Sequence, residues 1–209
     1  MACAVNLYTR VHVQVVEEDG GIETSLIIDS ANVDSMTTAA LTFIYEEMFQ
    51  DGRPALRLSV ESQLPPGCGL GSSGALSVAV AAAFYLLLHK ELNKEEVKRW
   101  ALKAENVFHG KTSGIDVHCS LYGGMVKYQN GVFSSMAFKR DCFPGAIIIN
   151  TAVKRSTRTL GVLVKERPAV CLKKIGQVTR AVCSMMDDDH LITKEAFNDH
   201  VQVSMCHRK

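Results

Sequence analysis

The first part of the chain is predicted to form a sheet, because apolar and polar residues alternate along it. Val11, Val13 and Val15 share one face of an extended segment, and polar residues lie between them. The Asp19-Gly20-Gly21 segment is predicted to turn this strand back on itself. Strands are therefore predicted at residues 4–16, 22–28 and 55–62, with the second returning after the first.

Longer periodic segments predict helices in the middle of the chain. Ser35 is expected to cap the first of them, and Asn93 with Glu96 resembles a capping box for the third. Helices are predicted at residues 35–50, 73–90 and 94–108, followed by a short helix before Gly123-Gly124. Farther along, Asn130-Gly131 predicts a hairpin over residues 125–137. Residues 146–150 resemble a buried strand, and the pattern from Ser156 onward is mostly helical.

The composition of the chain excludes some classes of function. The 209 residues are 47% hydrophobic, enough for a sizeable core, and the formal net charge of +1 does not indicate binding to nucleic acid or to a membrane surface. The longest apolar run, residues 75–88, is shorter than the ~20 residues of a membrane span. The N-terminus lacks the layout of a signal peptide. Seven cysteines without a CxxC pair indicate reduced thiols and a cytoplasmic protein, and Cys206-His207 is interpreted as a frayed tail rather than a metal site.

A segment rich in glycine and serine, LPPGCGLGSSGALSV at residues 64–78, is the strongest candidate for chemistry. Residues 69–74 fit GxGxxG, but the dinucleotide fingerprint also needs a second parallel strand after the helix, and two successive helices are predicted here. Gly110-Lys111-Thr112 resembles the end of a P-loop. The first glycine of that motif would fall at position 105, which is Glu.

The segment nevertheless suits an anion. Glycines let backbone N–H groups converge, and Ser72 and Ser73 open a helix whose N-terminus attracts negative charge. A plain turn would explain one or two glycines, but not two prolines, four glycines and two serines before a helix. Phosphate binding is therefore the favoured interpretation.

Two further groups of polar residues accompany this loop. Glu105 and Asp116 flank the segment HGKTSGID, so one carboxylate could hold Mg²⁺ and the other could accept a proton. Their spacing alone favours a structural interpretation, with a Glu at a helix end and an Asp that caps the next helix. The basic run at residues 154–158 suits an anionic substrate, although an exposed basic turn has the same composition.

Taken together, these segments resemble the GHMP kinases. PPGCGLGSSGA resembles the phosphate loop of that family. E-x3-HGKTSGID-x4-LYGG and NTAVKRSTRTLGVLV resemble segments of its mevalonate kinase branch. The resemblance covers residues 55–165. It implies an α+β fold of two lobes: an N-terminal lobe like domain 2 of ribosomal protein S5 at residues 1–140, without its first strand, and a partial ferredoxin-like lobe at residues 141–209.

The resemblance also implies an activity and its residues. The activity would be transfer of the γ-phosphoryl group of ATP to the primary hydroxyl of mevalonate, in isoprenoid and sterol synthesis. Asp116 would take the hydroxyl proton, and Ser73 and Glu105 would bind Mg²⁺. Thr157 would lie beside the substrate, with Arg155 or Arg158 facing its carboxylate or phosphates. Contacts with ATP are implied for Ser62, Gly67, Cys68, Gly69, Leu70, Gly71, Ser72 and Ser73.

The chain departs from the family pattern in ways that keep alternatives open. Thr112 replaces a usual Pro, and Val117 replaces a usual Asn and also occurs in phosphomevalonate kinases, which makes phosphomevalonate the alternative substrate. The family's N-terminal Lys-bearing strand and C-terminal glycine-rich loop are not found in these residues. We therefore expect a fragment, a splice form or an incomplete gene model, and a non-catalytic binding or regulatory protein is the other alternative. Homodimers are common in the family.

Overall fold

The computed structural model describes residues 1–16, 26–29, 33–136 and 169–187. These residues divide into two compact units, one within residues 4–123 and the other within residues 1–3 and 124–209. The predicted lobe boundary at residues 140 and 141 lies outside the described residues. The strands are β1 (Ala2–Cys3), β2 (Thr9–Val15), β3 (Leu26–Asp29), β4 (Leu56–Ser62), β5 (Met125–Gln129) and β6 (Val132–Met136). The helices are α1 (Ser35–Met48), α2 (Ser72–His89), α3 (Lys94–His109), α4 (Ile115–Tyr122) and α5 (Ala169–Asp187).

The sheet of the first unit has the order β2-β4-β3, which differs from the predicted return of the second strand beside the first. β4 pairs antiparallel with β2, from Thr9 opposite Ser62 to Val15 opposite Leu56. β3 pairs parallel with the other edge of β4. Parallel strands need a crossover connection, and here the crossover is α1, which lies between β3 and β4 in the chain. The prediction of three strands is confirmed where the residues are described, and the predicted adjacency of the first two is wrong.

The core of this unit lies between the sheet and the helices. Leu56 and Leu58 of β4 are fully buried against Leu41 and Ile44 of α1. An aromatic cluster extends this core, with the rings of Phe49 and Phe84 5.4 Å apart and nearly perpendicular. The apolar residues that alternate with polar ones in the sequence therefore lie on the core face of the sheet, and the polar ones lie on its solvent face.

Helix α2 is the central helix of the unit and contacts β2, α1, α3 and α4. Within the described part of the chain it is the one helix long and apolar enough to cross a membrane by length and composition alone. Helix α2 is longer than the apolar run at residues 75–88, because it also includes Ser72 and Ser73 at its start and His89 at its end. Val80, Ala81 and Phe84 of α2 are fully buried in the protein core, which gives its apolar composition a structural cause.

Helix starts agree with the sequence to within one residue. Asp34, not Ser35, caps α1, and its carboxylate accepts a hydrogen bond of 2.8 Å from the Thr37 amide. The prediction failed by one position because Asp and Ser are equally good caps and stand side by side. Asn93 caps α3 as predicted, accepting from the amides of Glu95 and Glu96.

In the second unit, β5 and β6 form the predicted hairpin and β1 pairs antiparallel with β5. Asn130 and Gly131 both have positive φ, 52° and 83°, as a two-residue turn of type I′ requires. The predicted strand at residues 146–150 lies outside the described residues, and α5 accounts for part of the predicted helical C-terminal region. The described residues thus combine helices with one mixed and one antiparallel sheet, which is an α+β fold, as predicted.

Candidate active site

The glycine-rich loop joins the end of β4 to the start of α2. Gly67, Gly69 and Gly71 have φ of 71°, 76° and 70°, whereas φ is not in this positive, left-handed region at the two residues between them. A chain whose φ alternates in sign in this way curls so that successive N–H groups point to one side, a geometry that binds anions. A Cβ on Gly67 or Gly69 would meet no atom within 4 Å. The loop therefore has open space beside it and a helix N-terminus behind it.

Asp116 lies against the other end of this loop. A Cβ on Gly71 would lie 3.3 Å from the Cβ and Cγ of Asp116, and a Cβ on Gly74 would lie only 2.8 Å from the Asp116 Cβ. Asp116 is in the first turn of α4, which begins after Gly114 at φ 73°. The absence of side chains at positions 71 and 74 thus lets the N-terminal turns of α2 and α4 come together.

Glu105 is buried beside the same helix start, with 1% of its surface exposed. Its Oε1 accepts a hydrogen bond of 3.2 Å from the Ser77 hydroxyl of α2. Its Oε2 lies 3.6 Å from Nε2 of His109, which is itself 3.2 Å from the Ser73 hydroxyl. The two carboxylates predicted from the sequence are therefore both placed at the N-terminal end of α2, Glu105 beside Ser73 and Ser77 and Asp116 against Gly71 and Gly74.

The surroundings change the acidity of both carboxyl groups. Burial raises the pKa of Glu105, and the neighbouring His109 and the hydroxyls of Ser73 and Ser77 oppose that rise. Partial desolvation also raises the pKa of Asp116, again opposed by His109. Asp116 nevertheless keeps contact with solvent, which screens part of this effect. A cation close to either group would favour its charged form.

The oxygen atoms here fit a magnesium ion that arrives with a nucleotide. Ser73 and Glu105 offer a hydroxyl and a carboxylate, the hard oxygen ligands that Mg²⁺ prefers. Among the described residues there is no group of three or more His, Cys, Asp and Glu side chains able to hold a metal by themselves. Mg²⁺ is commonly held by one or two protein ligands together with substrate phosphates, so this sparse set is appropriate.

Ser62, another residue predicted to contact the nucleotide, is the last residue of β4. Its hydroxyl lies 2.9 Å from that of Thr9 on β2 and 3.2 Å from the Leu64 amide, which donates to it. These contacts fix the end of the strand from which the glycine-rich loop departs. Thr9 was not predicted as part of the site, and only the pairing of β2 with β4 reveals its position.

The structure also explains the two local departures from the family pattern. The Thr112 hydroxyl accepts from the Gly114 amide at 3.1 Å, and the Thr112 amide donates to Asn106, a bond that a proline could not make. Val117 is fully buried in a cluster with Val78 and Val97, so it is a core residue.

Some site residues were missed by sequence reasoning, and some predicted ones are not described. His109 and Ser77 line the Glu105 carboxylate; the signals were the i, i+4 spacing of Glu105 and His109, and the position of Ser77 one turn after Ser73. Cys68 and Leu70 lie in the loop as predicted, and both are partly buried. The predicted substrate residues Thr157, Arg155 and Arg158 lie outside the described residues.

Comparison with known proteins agrees with this geometry. Residues 35–124, which include the loop and both carboxylates, match the N-terminal domain of the GHMP kinases. The mevalonate kinase of Bos taurus is 34% identical over 176 residues, and that of Pyrococcus abyssi is 36% identical over 138 residues. Residues 35–124 belong to the GHMP kinase family.

The fold agrees with that of solved GHMP kinases. The structure of L. major mevalonate kinase in complex with R-mevalonate superposes with a TM-score of 0.68, covering 96% of this chain and 64% of that one at 18% identity. The matches cover 76% of this chain but 43% of the Bos taurus enzyme, and 66% of this chain but 40% of the Pyrococcus abyssi enzyme. The chain thus spans less than half the length of these relatives.

Proposed function

We propose that this protein transfers the γ-phosphoryl group of ATP to the primary hydroxyl of mevalonate, forming 5-phosphomevalonate for isoprenoid and sterol synthesis. The observation that carries the proposal is the position of Asp116, which packs against Gly71 and Gly74 at the end of the glycine-rich loop. A proton acceptor next to a phosphate-binding loop is what phosphoryl transfer to an alcohol needs. The mevalonate kinases among the relatives supply the choice of alcohol.

ATP would bind through the backbone of the glycine-rich loop. The amides of residues 67–73 and the N-terminal turn of α2 would hold the phosphates, which explains the curled backbone and the open space beside Gly67 and Gly69. Ser62 would contact the nucleotide from the end of β4. Mg²⁺ would be held by Ser73 and Glu105, and when bound it would offset the charge on the phosphates.

The chemical step would use Asp116 as the general base. Its carboxylate would accept the proton of the mevalonate hydroxyl as the hydroxyl oxygen forms a bond to the γ-phosphorus. The bond between that phosphorus and the β–γ bridging oxygen would break, and ADP would leave with the electron pair. A carboxyl with a raised pKa is a stronger base than an ordinary aspartate, which suits this role.

Thr157, Arg155 and Arg158 are proposed to position mevalonate. A guanidinium can bind a carboxylate through two parallel hydrogen bonds, so Arg155 or Arg158 would face the carboxylate of mevalonate and Thr157 would lie beside it. We further propose a cytoplasmic homodimer. The cytoplasmic assignment is supported by Cys3, Cys68, Cys119 and Cys183, which form no disulfide within the part of the chain that the structure describes.

The test is ADP release by the full-length protein supplied with Mg·ATP and either mevalonate or 5-phosphomevalonate at equal concentration. The proposal expects turnover with mevalonate, and none with mevalonate absent. Faster turnover with 5-phosphomevalonate would move the activity to the other substrate. Binding of Mg·ATP with no turnover on either substrate would contradict the proposed reaction and favour a non-catalytic role.

A further inference from the structure

His109 occupies a position in this site that its helix-end location alone does not explain. Its Nε2 lies 3.2 Å from the Ser73 hydroxyl and 3.6 Å from Oε2 of Glu105, so one ring nitrogen faces both proposed ligands of the cation. The side chain is 23% exposed, compared with 2% for that of Glu105, so the ring is more accessible to solvent than the carboxylate that it faces.

The local backbone holds the ring in this place. His109 is the last residue of α3, one turn after Glu105, so both side chains project from the same helix face. Gly110 ends the helix with φ 77°, and its amide closes the final turn on the Asn106 carbonyl at 2.7 Å. This hydrogen bond fixes the end of α3. The His109 ring at that end faces Ser73, which lies in the first turn of α2.

We propose that His109 is a positioning residue that orients the Ser73 hydroxyl for a divalent cation. A serine hydroxyl has one hydrogen and two lone pairs, and it rotates to suit its neighbours. To bind a cation, Ser73 must direct one of its oxygen lone pairs at that cation. The oxygens of the Glu105 carboxylate bind the same cation. The Ser73 hydrogen then requires another acceptor. A neutral His109 ring with its proton on Nδ1 provides one, because its Nε2 lies 3.2 Å from the Ser73 oxygen.

This inference rests on the proposed function, because it assumes that ATP enters with a cation held by Ser73 and Glu105. It assigns His109 no contact with the reacting atoms. Groups that orient metal ligands commonly change metal affinity by roughly 10–100-fold when removed. The expected effect is therefore on the contribution of the metal to ATP binding, rather than on ATP binding as a whole.

Calorimetric titration with ATP, in the presence of Mg²⁺ and in the presence of a chelator, measures this contribution. In the wild-type chain Mg²⁺ should tighten ATP binding. In His109→Leu this gain should fall by about 10-fold, while the Kd for metal-free ATP should stay within about 2-fold. His109→Gln, whose side-chain oxygen can accept the Ser73 hydrogen, should recover part of the gain. Should the Leu variant fail to fold, His109→Asn, whose amide is too short to reach Ser73, replaces it.

His89→Leu is the matched control, because His89 is likewise the last residue of a helix but is exposed at the far end of α2. It should keep the wild-type gain. The inference would be overturned if His109→Leu kept that gain, or if it weakened metal-free and Mg-bound ATP equally, which would indicate a structural role. A wild-type chain that bound no ATP under either condition would overturn the proposed function as well, so the two failures are distinguishable.

Discussion

Gly74 packs directly against Asp116, which occupies the space that a side chain at position 74 would need. A Cβ on Gly74 would lie 2.8 Å from the Asp116 Cβ and 3.1 Å from the Asp116 backbone carbonyl carbon. The second contact is with backbone, so rotation of a side chain cannot relieve it. Gly74 thus sets how closely the start of α4, with its carboxylate, approaches the start of α2.

The first prediction concerns this contact. Gly74→Ala should lower the free energy of unfolding by roughly 1–3 kcal/mol, because overpacking exceeds the gain in helix propensity. It should also reduce turnover, since Asp116 must move. Thermal unfolding and steady-state kinetics measure the two effects.

Gly176→Ala in α5 is the matched control. Among described atoms, a Cβ there would meet only the flexible Arg180 side chain, at 3.5 Å. This variant should keep its activity and gain about 0.5–1 kcal/mol from helix propensity. Equal effects of the two substitutions would contradict the assigned contact.

The second prediction concerns Asp116 itself. Asp116→Asn should reduce turnover by about 10²–10⁴-fold, the usual contribution of a general base, and should leave the Kd for Mg·ATP nearly unchanged. Loss of turnover with unchanged nucleotide binding would indicate that Asp116 acts in the chemical step, whereas loss of both would indicate a structural role. Asp51→Asn, in an exposed turn, is the control and should be fully active. An active Asp116→Asn enzyme would show that the base lies elsewhere.

The third prediction is a dependence of stability on pH. The pKa of Glu105 is raised above its usual 4.5 and that of Asp116 above its usual 3.8, chiefly by desolvation. Over the interval between the usual and the raised values, the folded chain binds more protons than the unfolded chain. The free energy of unfolding therefore falls as pH rises through that interval, and the contribution is largest at acid pH.

Glu105→Gln should remove much of this fall, because the amide has no charge to desolvate. Urea unfolding of the metal-free protein at about pH 5 and about pH 7.5 measures the difference from wild type. Glu91→Gln, at an exposed position, should follow the wild-type profile. A Glu105→Gln variant less stable than wild type at the higher pH would contradict the assigned cost of burying this carboxylate.

The fourth prediction tests the core beneath the site. Phe84 of α2 is fully buried between Phe49 and Tyr45, with ring centroids 5.4 Å and 6.3 Å away. Phe84→Ala should lower the free energy of unfolding by about 3–5 kcal/mol. Leu87→Ala, on the exposed side of the same helix, should cost far less, and a similar loss in both variants would contradict the assigned orientation of α2.

The sequence alone determined the local elements and the types of chemistry. Alternating residues placed β2 and β4, turn residues placed the hairpin at Asn130-Gly131, and the glycines before Ser72 identified a loop able to bind an anion. The inferences about strands and the hairpin succeed because they depend on neighbours within a few residues, whose preferences are written in the sequence. Anion binding by the loop stays a prediction. The resemblance carried by the loop and by the Glu105–Asp116 segment was confirmed at the level of the family.

Only the tertiary structure decided which distant residues meet. The sequence did not show that β4 separates β2 from β3, since pairing depends on how α1 crosses the sheet. It did not show that Gly74 contacts Asp116, or that the His109 ring faces both Ser73 and Glu105. Such contacts depend on the packing of helices that are far apart in the chain, and local patterns contain no information about that packing.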